Sequence, residues 1–99
     1  MRVLVVDDEL VSRKKMQKIM DAFGECIAVA SGEAALKAFG EAIAKEEPFD
    51  LITLDISMPR MDGTEVLYEM RKIEKKRNTP REIGLWTNIS QQTITYLKR

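Results

Sequence analysis

Val3-Leu4-Val5-Val6 is an unbroken, β-rich apolar run that stops at Asp7-Asp8, and Phe49 to Asp55 ends the same way, on a carboxylate. A run with no polar alternation is the pattern of a strand covered on both faces, which places it inside a parallel sheet. Parallel neighbours need helical crossovers, and the intervening residues supply them. Met16, Ile19, Met20 and Phe23 recur at i, i+3, i+4 and i+7 and predict a helix stopped by Gly24. Cys26 to Ala30 reads as a second strand, and Ser31 caps a helix with Leu36, Phe39 and Ile43 on one side. Lys45 to Pro48 leads into the third strand, and Asp62-Gly63 opens a helix carrying Val66, Leu67, Met70 and Ile73. The basic stretch Lys75 to Arg81 reads as a loop before a fourth strand, Ile83 to Thr87. Ser90 then caps a last helix, with Ile89 and Ile94 spaced as a hydrophobic staple. Regular βα alternation with short links predicts an α/β doubly wound sheet with helices on both faces.

Ninety-nine residues allow one domain, 1–99, with one core. Sixteen basic and sixteen acidic residues balance, so no overall field draws the chain to nucleic acid or an anionic membrane. The cluster Arg71, Lys72, Lys75, Lys76, Arg77 and Arg81 is interleaved with Glu69, Glu74 and Glu82 and lacks stacking aromatics. Cations near a helix C-terminus account for it better than nucleic acid. The run after Met1 and Arg2 is too short for a signal peptide or a membrane span. Cys26 is the only cysteine, reads as a small buried hydrophobe and suits a reducing compartment, so a cytoplasmic location is expected.

In parallel α/β sheets, ligands bind beyond the carboxyl ends of the strands, where strand order reverses. Asp7 and Asp8 end strand one, Asp55 ends strand three and Thr87 ends strand four. With strands one and three adjacent, three carboxylates converge. Like charges about 4 Å apart repel by roughly 1 kcal/mol in water and roughly 4 kcal/mol at an effective dielectric near 20. Such a cluster calls for a cation, and hard oxygen donors without His or Cys suit Mg²⁺. An Asp beside that ion can attack phosphorus and form an aspartyl-phosphate, while Thr87 can donate to the new phosphoryl oxygens. Taken alone, Asp7 and Asp8 are also explained as charges at a helix start, and Thr87 as an ordinary strand residue.

VLVVDDE, LDISMPRMDG and a later strand ending in Thr resemble the receiver domain of two-component response regulators over nearly the whole chain. The resemblance implies a flavodoxin-like fold and a Mg²⁺-dependent signalling phosphoacceptor rather than an enzyme. It implies Asp55 as the phosphoacceptor, Asp7 and Asp8 as metal ligands, and the backbone carbonyl of Ser57 as a further ligand. Thr87 would be the switch hydroxyl, and Pro59 and Gly63 would shape the loop between the site and the third helix. A histidine kinase or phosphotransfer protein would be the partner, with Ser12, Arg13, Lys14 and Lys15 near the pocket. A solvated helix face explains those four equally well.

The resemblance is incomplete. Family members have five βα units, with a lysine ending the fifth strand that pairs with the phosphoryl group. Here about four units are expected, the fifth strand and helix are missing, and no lysine takes that role. Lys98 and Tyr96 fall on the expected last helix. Gly84 and Asn88 also depart from the pattern. The fourth strand is therefore expected to be a bare edge that invites a homo-oligomer through strand pairing. Alongside phosphoryl acceptance stands a second reading, a shortened receiver with an impaired switch that acts as an interaction or dimerisation module. A haloacid-dehalogenase-type phosphatase needs an acid two residues after the nucleophile, where this chain has Ser57.

Overall fold

The computed structural model describes residues 1–56, 58–76, 85–90 and 93–97, the last two segments as backbone. Strand β1 (Arg2–Val6) is followed by helix α1 (Leu10–Met20) and a 3₁₀ turn (Asp21–Phe23). Strand β2 (Glu25–Val29), helix α2 (Gly32–Ala44), strand β3 (Leu51–Asp55) and helix α3 (Gly63–Lys76) come next. Strands β4 (Leu85–Ser90) and β5 (Thr93–Leu97) complete a sheet of order β2-β1-β3-β5-β4. The first three strands are parallel, with Leu4 level with Ile27 on one side and Ile52 on the other.

The alternation of β1 and β3 decides which residues meet which helices. Leu4, Val6, Ile52 and Leu54 join Ala35, Phe39, Ala42, Val66 and Met70 in one buried core beneath α2 and α3. Val3, Val5 and Thr53 are buried as well and, by the period of two, lie on the opposite face, where α1 packs. Helices on both faces of a mainly parallel sheet are the flavodoxin-like, doubly wound α/β arrangement expected.

Ser31 caps α2 as its sequence predicts, its hydroxyl accepting from the Ala34 amide at 3.1 Å. Gly32 brings α2 and α3 together: an added Cβ would lie 2.7 Å from Val66 Cγ2 and 2.9 Å from Met61 Cγ. Met61 is flexible and can yield, but Val66 is stiff and fully buried, so Gly32→Ala is expected to cost about 1–2 kcal/mol, within the lower part of the overpacking range, read as a fall in the urea midpoint.

Arg2 ties the opposite end of the sheet. Its guanidinium donates to the Glu47 carbonyl, lies 3.9 Å from Glu25 and 4.0 Å from Glu47, and stacks 4.9 Å from the centroid of Phe49. Its backbone exchanges hydrogen bonds with Asp50 as well. Arg2→Met keeps an apolar stem over Phe49 and removes the charge, and is expected to cost roughly 1–2 kcal/mol in denaturant unfolding.

Two expectations are corrected. The last helix, predicted from Ser90, is absent: Ser90 ends β4, and Thr93–Leu97, with Tyr96, is a strand antiparallel to both β3 and β4. Thr93-Ile94-Thr95-Tyr96 is β-branched or aromatic throughout, which favours an extended chain, and two residues suffice to link antiparallel strands. The fourth βα unit is thus replaced by a hairpin, and β4 occupies an edge of the sheet. The stripe expected to bury α1 is also displaced. Ile19 and Phe23 are 50% and 60% exposed, and the inward face is Ser12, Arg13, Met16, Gln17 and Met20, all half-buried. Gly84 and Lys98 lie outside the described residues.

Candidate metal and phosphoacceptor site

The β1–β3 pairing carries Val6 level with Leu54, so Asp7 and Asp8, which follow β1, and Asp55, the last residue of β3, emerge at one edge. One carboxylate oxygen from each of Asp7, Asp8 and Asp55 lies within 4.8 Å of the other two. Asp7 and Asp55 are half-buried and Asp8 is exposed. Three negative charges this close have no charge-neutral arrangement of their own, and their oxygens are the hard donors that a small divalent cation takes.

Local hydrogen bonds fix the acidic pair. The Asp7 amide donates to the Val29 carbonyl at 3.1 Å, and Asp7 Oδ1 accepts from the Glu9 amide at 3.0 Å. Asp7 therefore does organise the start of α1, as the simpler reading of this residue held, while also facing Asp55. Arg13 Nη1 donates to the Asp7 carbonyl at 3.0 Å. Sequence reasoning assigned Arg13 to a partner or to solvent and missed this tether; its i+6 spacing from Asp7, within the first turn of α1, was the available signal.

The β3–α3 loop is closed by Gly63, whose amide donates to the Ile56 carbonyl at 3.0 Å. Pro59 accepts from the Met61 amide at 2.7 Å, and Arg60 between them adopts φ +66°, a left-handed conformation that a non-glycine residue takes at a cost. Asp62 then caps α3, its Oδ1 accepting from Thr64 Oγ1 at 2.6 Å and from the Glu65 amide at 2.9 Å. The Thr64 hydroxyl first, and the Glu65 amide second, hold the Asp62 carboxyl below the ordinary aspartate range. A depressed folded-state value means that the cap's contribution is present above the unfolded pKa and lost as pH falls through the folded one. Asp62→Asn keeps an acceptor at the cap, so its melting temperature is expected to fall less steeply than the parent's on the acid limb.

Thr87 lies on β4, which is not the strand beside β3. Strand β5 lies between β3 and β4, so Thr87 pairs with Thr95, and the backbone position opposite Asp55 is Thr93. The hairpin that replaces the fourth unit is the reason for this strand order. Ser57, the expected carbonyl ligand, lies outside the described residues. Cys26 is half-buried, and burial first, then Asp21, pushes its thiol up, away from the reactive thiolate. Among the described residues no helix is long and apolar enough to cross a membrane.

Comparison with known proteins places the chain in a family. The chain is 41% identical over 86 residues to Histidine kinase CKI1 of Arabidopsis thaliana, an alignment covering 75% of this chain and 8% of the kinase. It is 37% identical over 78 residues to Sensor protein GacS of Pseudomonas syringae pv. syringae, covering 78% of this chain and 8% of that protein. The chain thus spans under a tenth of these relatives. The crystal structure of the receiver domain of CKI1, complexed with Mg²⁺ and BeF3⁻, superposes with a TM-score of 0.74 at 38% identity, covering 79% of this chain and 59% of that one. The sequence profile of the response regulator receiver domain matches residues 3–93, and with the shared fold and the carboxylate-ended strands the chain belongs to that family.

Proposed function

We propose that this receiver accepts a phosphoryl group on Asp55 from a phosphohistidine of a histidine kinase or phosphotransfer protein, as a signalling phosphoacceptor with Mg²⁺ as cofactor. The convergence of Asp7, Asp8 and Asp55 within 4.8 Å carries the reading. Asp7, Asp8 and Asp55 would hold the ion, with the Ser57 carbonyl as a further ligand. When bound, Mg²⁺ supplies charge neutralisation for the carboxylates and the transferring phosphoryl oxygens. The receiver domain of CKI1 was solved in complex with Mg²⁺ and BeF3⁻, which supports Mg²⁺ as the cofactor here. Asp55 attacks phosphorus through a carboxylate oxygen; an O–P bond forms as the N–P bond to the donor imidazole breaks, and the departing ring nitrogen takes a proton from solvent to leave as neutral imidazole. Hydrolysis of the acyl phosphate by water restores the carboxylate. Asp7, tethered by Glu9 and Arg13, keeps its oxygens facing Asp55. A cytoplasmic location fits such a partner.

The insertion of β5 between β3 and β4 favours a second reading, in which the phosphoacceptor is present but its switch is impaired and the domain serves as an interaction module. Intact mass after incubation with Mg²⁺ and acetyl phosphate separates the two. A phosphoryl adduct on the parent chain and none on Asp55→Asn is expected. No adduct on a parent that still binds Mg²⁺ would leave the interaction module.

A further inference from the structure

The charges of this chain balance overall, but helix α1 carries only basic ones. Helix α1 carries no acid between Leu10 and Met20, and Val11, Lys14, Lys15 and Lys18, at i, i+3, i+4 and i+7, form one exposed stripe with Val11 73% exposed. Helix α3, across the sheet, carries an open groove of about 280 Å³ lined by Met61, Thr64, Glu65, Tyr68 and Glu69, with Tyr68 63% exposed. The groove already shows its preference for a cation: Lys72 Nζ lies 3.5 Å from Glu69 Oε1 and 4.9 Å from the Tyr68 centroid. Glu65, one turn away, makes no ion pair among the described residues.

We propose that the groove is the seat of α1 from a second copy of this chain. Lys14 and Lys18 are separated by four residues, as are Glu65 and Glu69, so both pairs span about 6 Å along their helices and pair in register. Charge also sets the direction. With the helices antiparallel, Lys18 meets Glu65, Lys14 meets Glu69, and the acidic Asp8-Glu9 end of α1 approaches Lys72; the two helix dipoles then oppose. Val11 and the Lys15 stem supply apolar contact for Tyr68, and the Lys18 stem supplies it toward Met61. A net charge of zero leaves no bulk repulsion against self-association. One helix against one groove is a small contact between two different surfaces, so it builds weak, salt-sensitive, head-to-tail chains rather than a closed dimer.

Sedimentation equilibrium over a wide concentration range tests this with two charge-reversed proteins, each checked for folding by circular dichroism. The parent is expected to associate at low salt and dissociate at high salt. Glu65→Lys with Glu69→Lys, and separately Lys14→Glu with Lys18→Glu, are each expected to raise the dissociation constant at least about tenfold. An equimolar mixture of the two restores association, because each then offers the other a complementary helix and groove. A parent that stays monomeric, variants that still associate, as strand pairing at the β4 edge would cause, or a mixture that stays apart would each overturn the proposal.

Discussion

Gly63→Val is expected to leave a chain that fails to fold stably, and Gly63→Ala to lose about 3 kcal/mol, the upper end of overpacking costs. A Cβ at this position would stand 2.6 Å from the Asp55 carbonyl oxygen, 2.9 Å from Ile56 Cα and 3.1 Å from the Asp55 carbonyl carbon. All three are backbone atoms of the strand end that carries the candidate phosphoacceptor, so no side chain can rotate away. Either α3 retreats, breaking the Gly63–Ile56 hydrogen bond, or Asp55 is pushed out of line with Asp7 and Asp8. Chemical denaturation gives the first consequence, and Mg²⁺ titration of Gly63→Ala the second. Gly32→Ala is the control, because its close neighbours are side chains. Equal losses at the two glycines would show that the backbone contact does not set the cost.

Neutralising the acidic pair should have effects of opposite sign with and without metal. In the metal-free protein, Asp7→Asn with Asp8→Asn removes the repulsion among carboxylates within 4.8 Å of each other, a gain on the order of 1 kcal/mol. With Mg²⁺, the parent gains stability by mass action, about 2.7 kcal/mol at a hundredfold excess over the dissociation constant, and the double variant gains at most about 0.4 kcal/mol. Loss of two charged ligands is expected to weaken binding at least about a hundredfold, beyond what outer-shell changes commonly cost. Thermal melts with and without Mg²⁺ decide it. A double variant that is no more stable without metal and responds to Mg²⁺ as strongly as the parent would remove these residues from the site.

How much was legible differs along the chain. β1, α2, β3 and α3 were readable because apolar runs and 3.6-residue spacing record burial directly, and Ser31 and Asp62 mark helix starts with side chains that accept backbone amides. The convergence of Asp7, Asp8 and Asp55 followed from two parallel strands ending level, which topology rules imply before any coordinate is known. The α1 stripe misled because Ile19 and Phe23 are apolar yet exposed, and composition cannot tell an uncovered apolar residue from a buried one. Beyond α3 the residues Ser90 to Leu97 satisfied a helix cap and a staple as well as a strand, and local signals could not choose between them.

The sequence by itself determined the parallel βα frame and the three acids at its rim, because burial and charge at strand ends are written in residue type. Tertiary structure alone decided that Thr93–Leu97 enters the sheet antiparallel beside β3, which moves Thr87 one strand away from Asp55. It also decided that Gly63 and Gly32 hold α3 against the site loop and α2. Strand order and close backbone approach depend on which distant segments share an edge or a contact, and no local pattern of residues records that.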